Sequence, residues 1–465
     1  MAETTIWWLR RDLRLRDNPA LVAAAKRGAV IPVFICDTSV DELGAAAKWR
    51  LGLSLADLDA RLRALGSHIV YRTGEALEVL DLVIEESGAT GVFWNRYYEK
   101  RAVERDKAVK SALKEAGVEV QSFNAHLLFE PWEVETKQGG YYKVYSPYWR
   151  AVKDRPIADP LAEPAISAPE VWPQSEALKD WDLGAQMRRG ADVVAQHVHV
   201  GEERATARLG AFVRDRIDDY KDARDFPALP ATSGLSENLT YGEISPRSIW
   251  HSGVRAREEG KRGAEHFLKE LVWREFAWHL LWHEPDLATR NHREGWDDFP
   301  WRGDSKAAER WRQGRTGIRF VDAAMRELYV TGTMHNRARM IVASYLTKHM
   351  MTDWRVGLAW FEDCLIDWDP ASNAMGWQWV AGSGPDAAPY FRVFNPDGQA
   401  EKFDKNGDYL NAWIAEGQSD PPATALSYFE AVPKAWGLGA QDSYPEPVVG
   451  LKEGRERALA AYGNR

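Results

Sequence analysis

"AVIPVFIC", residues 29–36, is an unbroken apolar run bounded by Gly28 and Asp37, and it reads as a β-strand. "TTIWWLR", "HIVYRT", "GVFWNRYY" and "VEVQSFN" are runs of the same kind within the first 130 residues. Between them lie amphipathic helical patterns such as "WRLGLSLADLDARLRALG" (49–66), which closes on Gly66 as a helix C-terminus favours. This alternation predicts a parallel α/β sheet with helices on both faces. Sheets of that kind bind ligands at the carboxyl ends of their strands, so a nucleotide-like ligand fits the pattern. No GxGxxG follows the first strand, and the usual dinucleotide fingerprint is therefore absent.

Further along, residues 154–182 carry five prolines between Pro156 and Pro173. Proline at that density blocks helix and sheet alike and predicts a long crossing loop or linker. From about residue 201 one helical pattern follows another, as in "GAEHFLKELVWREFAWHLLWH", "IRFVDAAMRELYVTG" and "HNRARMIVASYLTKHM". The expected division is an α/β unit over 1–130, a linker over 131–200 and a helical domain over 201–465.

The bulk composition narrows the classes. With 465 residues, 45% hydrophobic and 28% charged, the chain has the make-up of a soluble globular protein with a sizeable core. No apolar run is long enough to span a bilayer. The start, "MAETTIWWLRRDLRLRD", has no signal-peptide stretch, which leads us to expect a cytoplasmic location. Cys36 and Cys364 are the only cysteines, too few for a disulfide framework or a zinc site. A net charge of −9 argues against wholesale coating of nucleic acid but leaves room for a local basic groove. Between Arg312 and Lys348, seven Lys/Arg stand against two Asp/Glu, which suggests an anionic macromolecular substrate; a solvated helix face is the plainer alternative.

Chemistry concentrates in "LIDWDPASNAMGWQW", residues 365–379. Carboxylates are rarely buried unpaired, yet Asp367 and Asp369 sit with Asn373 among indoles. In "MHNRARMIVASY" (334–345) Asn336, Arg339, Met340 and Ala343 share one helical stripe while Arg337 points elsewhere. An arginine in so apolar a helix needs a carboxylate, and Asp367 and Asp369 are the candidates. In "FLKELVWREFAWHLLWH" (267–283) Glu270, Trp273 and Arg274 share one face. They form either part of a site or an ordinary i,i+4 ion pair worth a few tenths of a kcal/mol. Thr232, Ser233 and Ser236 around Gly234 offer donors in a turn suited to a pyrophosphate, although such turns are usually only loops. "GSGPDA" (382–387) fits GxGxxA by chance, and "HVHV" (197–200) has no metal-ligand spacing. Most of the 22 tryptophans belong to the core; Trp301, Trp354 and Trp377 stand outside any simple helical stripe.

Taken in order, "WWLRRDLRLRDNPAL", "RDFPALPATSGLS", "KELVWREF", "TGTMHNRARM", "DWDPASNAMGWQW" and "DAAPYFRVFNP" resemble the photolyase/cryptochrome family over nearly the whole chain. The resemblance implies an α/β antenna domain and a helical domain holding FAD. By it, Asp367, Asp369, Arg339, Arg274 and Asn373 line the flavin pocket, and Tyr220, Thr232, Ser233, Gly234, Leu235 and Ser236 hold its phosphates and sugar. It gives Trp377, Trp354 and Trp301 the role of an electron chain to the flavin. Glu270, Trp273, Asn336, Met340 and Trp379 would meet a cyclobutane pyrimidine dimer flipped from DNA, and Arg224, Arg274, Arg337, Arg392 and Gln399 would contact the DNA. "HNRARM" keeps the cyclobutane-dimer pattern, since (6-4) enzymes place histidines at Asn336 and Met340. The chain also ends without the long tail of many signalling cryptochromes. Both features favour a DNA-repair lyase, acting as a monomer, over a blue-light photoreceptor. In "YYEKRAVERD" (97–106) the Asn–Glu pair of one folate-binding branch is replaced by Arg101 and Ala102. The overall pattern is nearest to bacterial enzymes related to plant cryptochromes, which implies 5,10-methenyltetrahydrofolate rather than a deazaflavin as second chromophore.

Overall fold

The computed structural model describes residues 3–386 and 391–464, so residues 387–390 of the "DAAPYFRVFNP" motif lie outside the described residues. The apolar runs form one parallel sheet, β1 (Glu3–Leu9), β2 (Gly28–Cys36), β3 (Val70–Thr73), β4 (Gly91–Asn95) and β5 (Glu119–Phe123), in the order β3-β2-β1-β4-β5. Both faces are covered at the centre of the sheet, which is why β1, β2 and β4 are largely apolar runs rather than alternating ones, while the edge strands β3 and β5 carry exposed polar residues. Trp7 packs with α1 (Pro19–Arg27) and α2 (Ala45–Ala64), while Trp8 turns to the opposite face with α3 (Ala76–Ser87) and α4 (Lys100–Glu115). Pro32 sits inside β2, where a missing N–H would normally break the ladder. The pairing of β3 begins only at Val33, so Pro32 has a strand neighbour on one side alone. At the carboxyl ends of β1 and β4 the chain's own polar groups close on each other. Asn95 Nδ2 donates to Asp12 Oδ2 at 2.6 Å and to Asn18 Oδ1 at 2.7 Å. The nucleotide-sized cavity lies instead in the helical part.

Residues 154–182 run as an irregular crossing segment along the sheet, with Val30 N donating to Ser167 O and Glu176 N to Tyr71 O, both at 2.9 Å. The packing does not divide at residue 131. Helix α5 (Tyr145–Val152) buries Tyr148 and Val152 in the same cluster as Phe276 and Trp278 of the helical part. The remaining helices that matter here are α6 (Glu202–Asp215), α7 (Pro246–Glu258), α8 (Ala264–His283), α9 (Arg319–Thr331), α10 (Asn336–Ser344), α11 (Trp354–Cys364) and α12 (Pro370–Ala381). The cation-rich stretch 312–348 is not a basic surface. Arg326 is fully buried on Glu416, Arg312 pairs with Asp304, and Lys348 is buried.

The α/β unit meets the helices through buried charge. Arg50 of α2 is 0% exposed; its Nη1 and Nη2 donate to the two Glu243 oxygens at 3.0 and 2.8 Å, and its Nε donates to Glu237 at 3.3 Å. Ser54 Oγ and Asn238 Nδ2 fill the remaining Glu243 positions at 2.8 and 2.7 Å. Removing one member of a buried, fully bonded set strands the others. Arg50→Met is therefore expected to cost about 3–5 kcal/mol in denaturant unfolding; a loss under about 1 kcal/mol, the range of exposed pairs, would show that the network carries little stability.

Candidate functional site

A cavity of about 960 Å³ opens between α8, α10, α12 and the 227–240 segment. Its size is at the top of the range of about 300–1,000 Å³ that ligand and cofactor pockets occupy. Asp367 and Asp369, which the sequence places among indoles, both line it, and each has its partners. Arg339 Nη2 donates to Asp367 Oδ2 and Oδ1 at 2.8 and 3.0 Å, and Arg339 Nε donates to Met334 O at 2.8 Å. Asp369 is the N-cap of α12. Its Oδ1 accepts from Ser372 N at 2.7 Å and its Oδ2 from Trp278 Nε1 at 2.9 Å. Asn373, one turn on, donates from Nδ2 to Asp369 O at 3.0 Å. Pro370 at the first helical position needs no N–H there, which is how "DWDPASN" turns a loop into a helix start beside a cavity.

Tyr220, Thr232, Ser233, Gly234, Leu235 and Ser236 form another stretch of wall. Gly234 has φ of +64°, and a Cβ there would fall 2.0 Å from Arg208 Nη2. Only glycine permits this turn to close on that guanidinium. Arg208 itself pairs with Glu237, so the turn is tied to the Arg50 network.

The more exposed part of the cavity carries Glu270, Trp273, Asn336, Met340, Trp379, Arg224 and Arg392. The stripe Asn336, Arg339, Met340 and Ala343 of α10 lines it as the helical spacing requires, and Arg337 points away to Asp225 at 2.6 Å. Glu270 does not pair with Arg274. Its carboxylate meets the Arg224 guanidinium, with His266 Nε2 at 3.7 Å. Arg274 turns inward instead: Nη1 donates to His126 O at 2.9 Å, Nη2 reaches the His126 ring at 2.9 Å, and Nε lies 3.8 Å from Asp369. The guanidinium is thus engaged by the protein's own groups within the cavity wall. Arg337 and Gln399 lie outside the cavity lining.

Trp377 lines the cavity and Trp354 is fully buried behind it, donating from Nε1 to Asn291 Oδ1 at 2.9 Å. A Cβ on Gly357 would fall 2.0 Å from Trp377 Cη2, so that glycine lets Trp377 lie against the helix that carries Trp354. Trp301 is half-buried in the adjoining cluster. Its neighbour Arg302 donates N–H to Met351 O at 2.7 Å and accepts from Asp353 N at 2.8 Å, which fixes it beside Trp354.

The comparisons agree with this geometry. The profile described as FAD binding domain of DNA photolyase matches residues 267–464, and the DNA photolyase profile matches 5–166. The deoxyribodipyrimidine photo-lyase of Agrobacterium fabrum (strain C58) is 46% identical, over 98% of this chain and 97% of that protein. This chain belongs to the photolyase/cryptochrome family. A bacterial class III photolyase from Agrobacterium tumefaciens superposes with a TM-score of 0.92 at 43% identity, covering 100% of this chain and 98% of that one. An archaeal photolyase from Sulfolobus tokodaii, solved with two FAD molecules, gives 0.81 at 27% identity, over 99% of this chain and 100% of that one.

The pocket suits the FAD of this photolyase family member. It has dinucleotide size, hydroxyls at a glycine turn, and a paired Arg–Asp beside a capped Asp. Two features were not read from the sequence. Tyr145 of α5 stacks on Trp273 at 3.6 Å with an interplanar angle of 7°, and Arg208 reaches the glycine turn from α6. Neither leaves a local signal, because each partner is remote in the chain. Arg101, at the departure from the folate-binding pattern, is exposed and paired with Glu42.

Behind Asp369, Glu275 is 1% exposed and accepts from Leu128 N at 2.7 Å and Phe129 N at 3.3 Å. Burial pushes its carboxyl up to about 7, against the pull of Arg274 and of those two amides. A carboxyl raised in the fold favours folding below its unfolded pKa, and that advantage is lost as the pH rises through about 7. Wild type should therefore lose up to about 3 kcal/mol from this group between pH 5 and 8. Glu275→Gln should flatten that part of the stability profile in denaturant titrations; an unchanged slope would contradict the assignment.

Proposed function

We propose that this chain is a deoxyribodipyrimidine photo-lyase that uses blue or near-UV light to split cyclobutane pyrimidine dimers in DNA back into two pyrimidines. One observation carries the reading: a single cavity is lined both by Arg339, Asp367, Asp369 and Asn373 and by Glu270, Trp273, Asn336, Met340 and Trp379. Electron donor and substrate would share it. FAD held by Arg339, Asp367, Asp369 and Asn373 would supply the light-driven one-electron chemistry that dimer cleavage needs.

The chain's own residues do the rest. Tyr220, Thr232, Ser233, Leu235 and Ser236 would hold the phosphates and sugar of FAD, with Gly234 allowing their close approach. Arg339, held by Asp367, and Asp369, backed by Arg274, would set the charge at the bound flavin, and Asn373 would line the same part of the pocket. Trp273, braced from behind by Tyr145, and Trp379 are the apolar walls for a dimer flipped out of the duplex. Met340 completes that wall. Asn336 and Glu270 hydrogen-bond the dimer, and Glu270 stabilises the charge that develops on it. The Arg224 cation holds the Glu270 carboxylate in place beforehand. Arg224, Arg337, Arg392 and Gln399 take DNA phosphates, contacts that position the duplex without reading its sequence. Trp301, Trp354 and Trp377 carry an electron inward, in short steps between oxidisable indoles. We take the second chromophore to be 5,10-methenyltetrahydrofolate rather than a deazaflavin, as the sequence pattern near bacterial relatives of plant cryptochromes implies. The Sulfolobus photolyase was solved with two FAD molecules, so mass spectrometry of the extracted pigment decides between a folate and a second flavin.

The test is repair of a thymine-dimer oligonucleotide by the reduced holoprotein, followed by the return of thymine absorbance. Repair is expected under blue light and not in the dark, and none under light would end the proposal. Glu270→Gln keeps a hydrogen-bonding group and removes the charge; it should lower the yield per absorbed photon by about ten- to a hundredfold while affinity changes less. If Glu270 only braces Arg224, affinity falls and the yield stays intact.

A further inference from the structure

Lys348 is used by nothing above. It lies on the π-helical turn Tyr345–His349 that continues α10, a wide turn of a kind often found at functional sites. Its side chain is 1% exposed, and among the described residues no carboxylate pairs with it. Burying an ammonium without a counter-charge is costly. Burial, and then the Arg392 charge, push it down to about 7, a measure of that cost.

Its contacts all go to one place. Lys348 Nζ donates to Arg392 O at 2.8 Å and stands 4.0 Å from the centre of the Phe391 ring. One turn earlier, Ser344 Oγ accepts from Phe394 N at 3.2 Å. Two side chains of one helical stretch thus pin the segment 391–394 from beneath. That segment carries Arg392, which is exposed and lines the cavity beside Trp379.

We propose that Lys348 is a positioning residue for DNA recognition: from inside the helical core it fixes segment 391–394 and so holds Arg392 at the rim of the cavity. A neutral apolar side chain would fill the same space at less cost but could not bond the Arg392 carbonyl. The inference rests on the reading of Arg392 as a DNA contact.

The test compares wild-type holoprotein with Lys348→Met, Arg392→Ala and the double variant. It measures dark binding of a thymine-dimer oligonucleotide, FAD content, and light-driven repair at saturating DNA. Each single variant is expected to weaken binding about tenfold. The double variant should bind no more weakly than Arg392→Ala alone, because the two act through one contact. FAD content should stay at the wild-type level in all three variants, and repair at saturating DNA should do so in Lys348→Met. Wild-type binding by Lys348→Met, additive losses in the double variant, or a parallel loss of FAD would each overturn the proposal. Should Lys348→Met fail to fold, Ser344→Ala decides in its place, with a loss of about threefold in affinity that vanishes in the Arg392→Ala background. If Arg392→Ala binds as wild type while light-driven repair persists, the reading of Arg392 is wrong and this inference falls with it, leaving the proposed activity standing.

Discussion

The ion pair between Arg339 and Asp367 is the constraint on which the site depends. A helical core of this apolarity tolerates a guanidinium only if a carboxylate meets it with good geometry. Here the carboxylate comes from the loop just before α12, so α10 and the start of α12 must stay at a fixed distance. Asp369, two residues on, is held by Ser372 N and Trp278 Nε1. The same short stretch therefore anchors α12 to both α8 and α10. What remains between the three helices is a space, apolar for the most part with charged groups set into its wall, that their own side chains do not fill.

That space is also tied to the α/β unit. Arg208 at the glycine turn shares Glu237 with Arg50 of α2, and Arg50 is bonded to Glu243. Burial would raise the Glu237 carboxyl, but the His199 hydrogen bond and the charges of Arg50 and Arg208 hold it below the usual range. Ionised, it serves both cations at once. The floor of the glycine turn and the contact between the two parts of the fold are one electrostatic unit, and distortion of either reaches the other.

The sheet was legible because its three central strands, β1, β2 and β4, are short, largely apolar runs between turn residues, and two-sided burial removes the alternation that would have suggested an exposed sheet. The α10 stripe was legible for a similar reason, since a spacing of three to four residues places Asn336, Arg339, Met340 and Ala343 on one side. Partners remote in the chain were not legible. Glu270 and Arg274 are four apart and suggest each other, but the stronger partner of Glu270 is Arg224 and that of Arg274 is His126, with the Glu275 and Asp369 carboxylates beside it. The cations between Arg312 and Lys348 suggested a charged face, yet Arg326 and Lys348 are among the most deeply buried. Counting charges along a chain cannot distinguish a solvated cation from one enclosed by a distant carboxylate or carbonyl. The α5 helix likewise gave no sign, within its own few residues, that Tyr145 would back Trp273.

The central claim is that the Arg339–Asp367 pair organises a flavin site, and FAD affinity in a paired substitution tests it most directly. Asp367→Asn leaves Arg339 unpaired in the cavity wall. FAD titration by fluorescence quenching should show its affinity reduced by about 3 kcal/mol or more, with part of the loss recovered in Asp367→Asn combined with Arg339→Met. Wild-type affinity in Asp367→Asn would contradict the account.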